Sequence, residues 1–148
     1  MDAILLACMQ ALHIPKHLLG YRYIFLAVSY IRSVPHPQRL SMMHDIYPHV
    51  ADCVGSSRVM VDRAIRHAIT VSWQSAVSDV LRSYLGYAGE DKKGMPTNAE
   101  YLYMLSERVR ILCATSDDHA LMTETVAMLR TRIAESVPID EEGGIVVK

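Results

Sequence analysis

Apolar residues recur three and four positions apart along most of this chain, and the elements follow from where that rhythm stops. It predicts a first helix over residues 2–13 and a second over 16–33, where Tyr23, Leu26, Ala27, Tyr30 and Ile31 mark an apolar stripe. Pro35 and Pro37 then break the chain. A third helix spans about 40–53, and Pro48 must kink or restart it, because proline cannot donate to the preceding turn. The fourth runs over 57–75, and a shorter fifth over 77–85 ends at Gly86. A sixth starts at the capping box Thr97-Asn98-Ala99-Glu100 and continues to about Cys113. Beyond Asp117, the spacing of Ala120, Leu121, Thr125, Met128, Leu129 and Ile133 predicts a seventh amphipathic helix, which Pro138 ends. The expected fold is all-α: a compact bundle of about six helices over 1–115, followed by a helical extension and acidic tail over 116–148.

The fourth helix divides most sharply. At about 100° per residue, Val61, Ala64, Ile65, Ala68, Val71 and Ser72 fall on one side, while Asp62, Arg63, Arg66, His67 and Thr70 form an unbroken opposite arc. A merely solvated face usually mixes Lys, Glu and Gln. This arc instead offers two guanidinium forks, an imidazole, one short carboxylate and a hydroxyl. Arg pairs bidentately with guanine, Asp accepts from the cytosine amino group, and His or Thr can serve phosphates. On this pattern alone two readings stay open: DNA recognition, or a solvated face with Asp62 paired to Arg66.

The residues before this helix favour the first reading. Residues 47–54 form a short amphipathic stretch, Gly55 follows as a breaker, and Ser56 or Ser57 is a ready N-cap for the next helix. Helix, tight glycine turn and capped helix make a helix-turn-helix outline. Ala51 places a small side chain where two crossing helices approach. In such a motif the second helix enters the major groove through its N-terminal half, which carries Arg58, Asp62, Arg63, Arg66 and His67.

At this point the sequence resembles a known family. The string Val61-Asp62-Arg63-Ala64-Ile65-Arg66-His67-Ala68-Ile69, the later Leu85-Gly86-Tyr87, and Pro96-Thr97-Asn98 with Glu100 are similar to the C-terminal effector domain of the master sporulation response regulator, the stage-zero sporulation protein A. Ile14-Pro15, Gly20-Tyr21-Arg22-Tyr23 and Ile46-Tyr47-Pro48 look like further markers of that family, and the similarity runs from about Asp2 to about Cys113. The resemblance implies a helical domain that binds a short box of double-stranded DNA, often as adjacent copies. Carried over by position, its recognition residues fall on Asp62, Arg63, Arg66 and His67, with the turn and cap at Gly55, Ser56 and Ser57. Two departures stand out: Met60 where the family usually has Arg, and Asp62 where it usually has Glu. Arg58, half a turn earlier, partly replaces the lost Arg. The resemblance also implies that the segment around 74–87 meets the sigma subunit of RNA polymerase, although little of the family's detail survives there. A receiver domain precedes the effector in that regulator, whereas this sequence opens almost directly in helix one. The expectation is therefore a receiver-less chain with a different switch.

Composition adds limits. The 148 residues, 51% of them hydrophobic, suit a folded domain with one core. No stretch approaches the roughly 18 to 20 apolar residues that span a bilayer. Residues 3–12 are apolar but short and lack a basic flank, so no membrane partner and a cytoplasmic location are expected. The net charge of −1 conceals an asymmetry: residues 1–116 hold 12 basic and 9 acidic groups, net +3, and residues 117–148 hold 3 and 7, net −4. Lys92 and Lys93 could touch a DNA backbone or simply be solvated. Three cysteines without a CxxC pair read as small buried thiols, and the nine Met as core filling. His13, His17, His44 and His49 lack the ligands to complete a metal set, so neither a metal nor a cofactor is implied. No nucleophile, base and orienting group form a set, which points away from an enzyme.

Two functions follow. One is a sequence-specific DNA-binding transcription regulator that uses Ser56, Ser57, Arg58, Met60, Asp62, Arg63, Arg66, His67 and Thr70, with the body or the seventh helix supplying a possible homodimer. The other is a protein-interaction regulator that keeps the fold but acts by pairing with a full-length relative or with RNA polymerase.

Overall fold

A computed structural model of the chain describes residues 2–75, 95–115 and 126–132. Its elements, in order, are α1 (Asp2–Ala11), α2 (Leu19–Ser33), α3 (Tyr47–Val54), α4 (Arg58–Trp73) and α5 (Asn98–Ala114), and residues 126–132 are also helical. The fold is all-α, and α5 is the helix that the capping box predicts as the sixth. The predicted fifth helix, Lys92 and Lys93, and most of the 74–87 segment lie outside the described residues. No helix among the described residues is long and apolar enough to cross a membrane.

Local chemistry sets the boundaries. The second helix starts three residues later than its periodicity suggests, because the Leu18 amide donates to the Pro15 carbonyl and Leu18 itself is extended. The predicted third helix is in fact two pieces, a π-turn at Met42–Ile46 and α3, preceded by a 3-10 turn at Pro37–Arg39. Ser41 drives this division. Its hydroxyl accepts from the His44 amide while its own amide donates to Asp45 Oδ2 at 2.7 Å, so side chains compete for groups a continuous helix would use. Pro48 then sits in the first turn of α3, where its missing N–H costs nothing, and restarts the helix.

The core is assembled around α2, which packs chiefly on α4 and α5. Leu5, Ile24, Ile31, Ile65, Tyr101 and Leu105 are among its fully buried side chains. One crossing is especially close. A Cβ on Gly20 would lie 2.2 Å from the Ala64 carbonyl oxygen and 2.6 Å from the Ala68 Cβ, so only glycine lets α2 rest on α4 at this separation. Ser72, placed by its periodicity on the inward side of α4, is fully buried; its hydroxyl donates to the Leu12 carbonyl at 2.6 Å and lies 3.2 Å from the Tyr101 hydroxyl. That one hydroxyl joins the end of α1, α4 and α5 without leaving a buried donor unpaired. Leu129, in the 126–132 helix, is half-buried and packs against the same core.

Two expectations about side chains fail. Cys53 is exposed and sits 3.7 Å from His49 Nε2, since α3 turns Tyr47, Val50 and Ala51 inward and leaves position 53 off that face. Met43, Met60 and Met128 are exposed rather than core filling.

Candidate nucleic-acid interface

The turn between α3 and α4 is built by three residues. Gly55 adopts the left-handed conformation, φ 68° and ψ 41°, and ends α3 with its amide on the Ala51 carbonyl. The Ser56 amide donates to the same carbonyl at 3.0 Å, doubling the cap. Ser57 is extended, and its hydroxyl accepts from the Met60 amide at 3.2 Å, so of the two candidate caps Ser57 serves. Ser56 is exposed beside it. The result is a short helix, a two-hydrogen-bond turn and a capped sixteen-residue helix.

Packing then divides the polar arc of α4. Val61, Ile65, Ala68 and Ser72 are buried as the periodicity indicates, and Ile69, assigned to neither side from sequence, is buried with them. On the opposite side, Arg63 and His67 are exposed and have no hydrogen-bond or ion-pair partner among the described residues. Asp62, Arg66 and Thr70 are half-buried and engaged. Arg66 Nη1 donates to the Pro96 carbonyl at 2.6 Å, and the Thr70 hydroxyl donates to the Arg66 carbonyl at 2.8 Å. No Asp62–Arg66 ion pair occurs among the described residues.

Asp62 belongs to a separate network. Asn98 Nδ2 lies 3.1 Å from Asp62 Oδ1, 3.2 Å from the Asp62 carbonyl oxygen and 3.0 Å from the Tyr47 hydroxyl. Tyr47 is almost wholly buried, and burial, followed by its hydrogen bond to the Asp62 carboxylate, pushes its hydroxyl well above the usual phenol range. The neutral phenol therefore donates to Asp62 while accepting from Asn98. α3, α4 and the start of α5 are held together through one carboxylate, one amide and one phenol.

At the leading end of α4, Arg58 is exposed, and its Nη1 donates to the Met43 carbonyl at 3.3 Å. Val59 and Met60 beside it are 54% and 52% exposed. The surface that α4 offers outward thus consists of Val59, Met60, Arg63 and His67, with Arg58 and the Ser56–Ser57 turn at one end. Sequence reasoning missed Val59, as well as the holding residues Tyr47, Pro96 and Asn98. The helical wheel does place Val59 four residues from Arg63 on one face. Nothing in a wheel could have shown that Asn98 closes on Asp62.

Compared with known proteins, residues 5–109 match the family model described as sporulation initiation factor Spo0A C terminal.

Proposed function

The chain belongs to this Spo0A C-terminal family of DNA-binding effector domains, and from that premise we propose that it is a transcription regulator whose α4 reads a specific box in the major groove. The observation that carries the reading is the pairing of a correctly capped turn with two exposed groups, Arg63 and His67, that have no internal partner among the described residues. A guanidinium held on a rigid helix, with no partner among the described residues, suits the O6 and N7 acceptors of guanine. We assign base reading to Arg63, and phosphate contacts to His67, Arg58 and the Ser56–Ser57 turn. Asp62, Arg66 and Thr70 act chiefly by fixing α4, since their polar atoms already have protein partners.

The test is a genomic-fragment selection with purified protein at two salt concentrations, repeated with Arg63→Ala. Each phosphate contact should steepen the fall of log affinity with log salt by about 0.9. Loss of Arg63 should cost about 1 to 3 kcal/mol and relax preference at one position of the box. If wild type and Arg63→Ala bind every fragment with the same weak affinity, α4 does not read sequence.

A further inference from the structure

The outward face of α4 sets an Arg and a His beside two apolar side chains. Val59 lies four residues from Arg63, and Met60 lies three from Arg63 and seven from His67, so all four side chains share one strip of surface. Val59 and Met60 each leave more than half of their surface in water. Single exposed apolar residues need no explanation. Two in succession at the leading end of a helix, in line with an Arg and a His, are a different matter. Among the described residues the strip carries no exposed carboxylate, because Asp62, the acid beside it on α4, turns to Asn98 and Tyr47. Its occupant must therefore offer negative charge and apolar surface together.

Among the groups displayed in the major groove, one is apolar: the 5-methyl of thymine, set a few ångströms from the phosphates. We propose that Val59 and Met60 are specificity-determining residues that pack on thymine methyl groups in the box. The inference rests on the reading of α4 as the recognition helix and adds to it the chemical class of the neighbouring bases. Arg63 selects guanine by hydrogen bonds, while Val59 and Met60 select thymine in adjoining steps by shape. The two differ in tolerance. Val59 is β-branched and stiff, so it fits one methyl position. Met60, flexible and polarizable, accepts a wider range.

The experiment uses the full chain and one duplex recovered in the fragment selection, with each thymine replaced in turn by deoxyuridine, which removes only the methyl. For wild type, one or two replacements should weaken binding about fourfold each, as the loss of one buried methyl group implies. In Val59→Ala/Met60→Ala, whose exposed side chains leave the melting temperature unchanged, the same replacements should have no effect. Three results overturn the proposal: neutral replacements throughout, an undiminished effect in the double variant, or a double variant that loses self-association instead of base preference. A wild-type chain that recovers no fragment at all overturns the DNA reading, and this inference with it. A protein that selects fragments but ignores the methyls leaves the DNA reading intact.

Discussion

Replacing Gly20 by Ala tests the packing that positions α4. The added Cβ would meet the Ala64 carbonyl oxygen at 2.2 Å and the Ala68 Cβ at 2.6 Å, and the first of these is backbone that cannot rotate away. An ordinary carbon–oxygen contact is about 3.3 Å or more, so α2 and α4 must separate by about 1 Å. Overpacking of this kind costs about 1 to 3 kcal/mol, and a backbone clash belongs at the upper end. The substitution also gains helix propensity, about 1 kcal/mol at most and less in the first turn. The expected net is a loss of about 2 kcal/mol, or a fall in melting temperature of about 4 to 8 °C for a chain of this size. Thermal unfolding followed by circular dichroism, with urea titration at 25 °C, measures both values. DNA affinity of the folded variant should fall as well, because the strip on α4 moves with the helix. An unchanged or raised melting temperature would refute the close crossing.

Asn98→Ala leaves the Asp62 carboxylate and the Tyr47 hydroxyl without their shared donor, and should cost about 1 to 2 kcal/mol in urea unfolding; because Asp62 then keeps only the Tyr47 hydroxyl and can re-aim, fragment selection with this variant should recover an altered box. Ser57→Ala removes the α4 cap and should lower stability by about 1 kcal/mol, whereas Ser56→Ala should be near neutral, a contrast that denaturant midpoints resolve. Burial raises the folded values of Tyr47 and Tyr101 above the unfolded value of about 10, so their contribution is complete below that pH and is lost as pH rises through the raised values. Stability should hold from pH 7 to 9 and decline above 10, with Tyr101→Phe softening the decline; tyrosinate absorbance that develops without unfolding would contradict this.

Much of the architecture was legible because it depends on local repetition. The inward faces of α2 and α4, the Gly55 turn, the Ser57 cap and the Thr97–Glu100 capping box all lie within a few residues of the signals that announce them. The restart at Pro48 was legible, but the π-turn at 42–46 was not, since the Ser41 hydroxyl and the Asp45 carboxylate accept amide hydrogen bonds there and compete with helix periodicity. At the site, periodicity separated polar from apolar faces correctly but could not sort the polar face further. Arg63 and Asp62 are neighbours in sequence, yet one is exposed and the other is held by Asn98, 36 residues away. Composition pointed Met60 to the core while its place in the motif pointed it to DNA, and the exposure of Val59 was not legible because an apolar residue in a helix is ordinarily assigned to the core.

The bond from Asn98 to Asp62 bears on how the preference of such a regulator changes over generations. A box need not drift only through substitutions in α4. If α4 reads DNA as proposed, a single change at the first residue of α5 would re-aim a carboxylate beside its exposed strip while every residue of α4 stayed the same. Two descendants identical from Arg58 to Trp73 would then diverge in their target genes, and a comparison confined to the recognition helix would score them as equivalent.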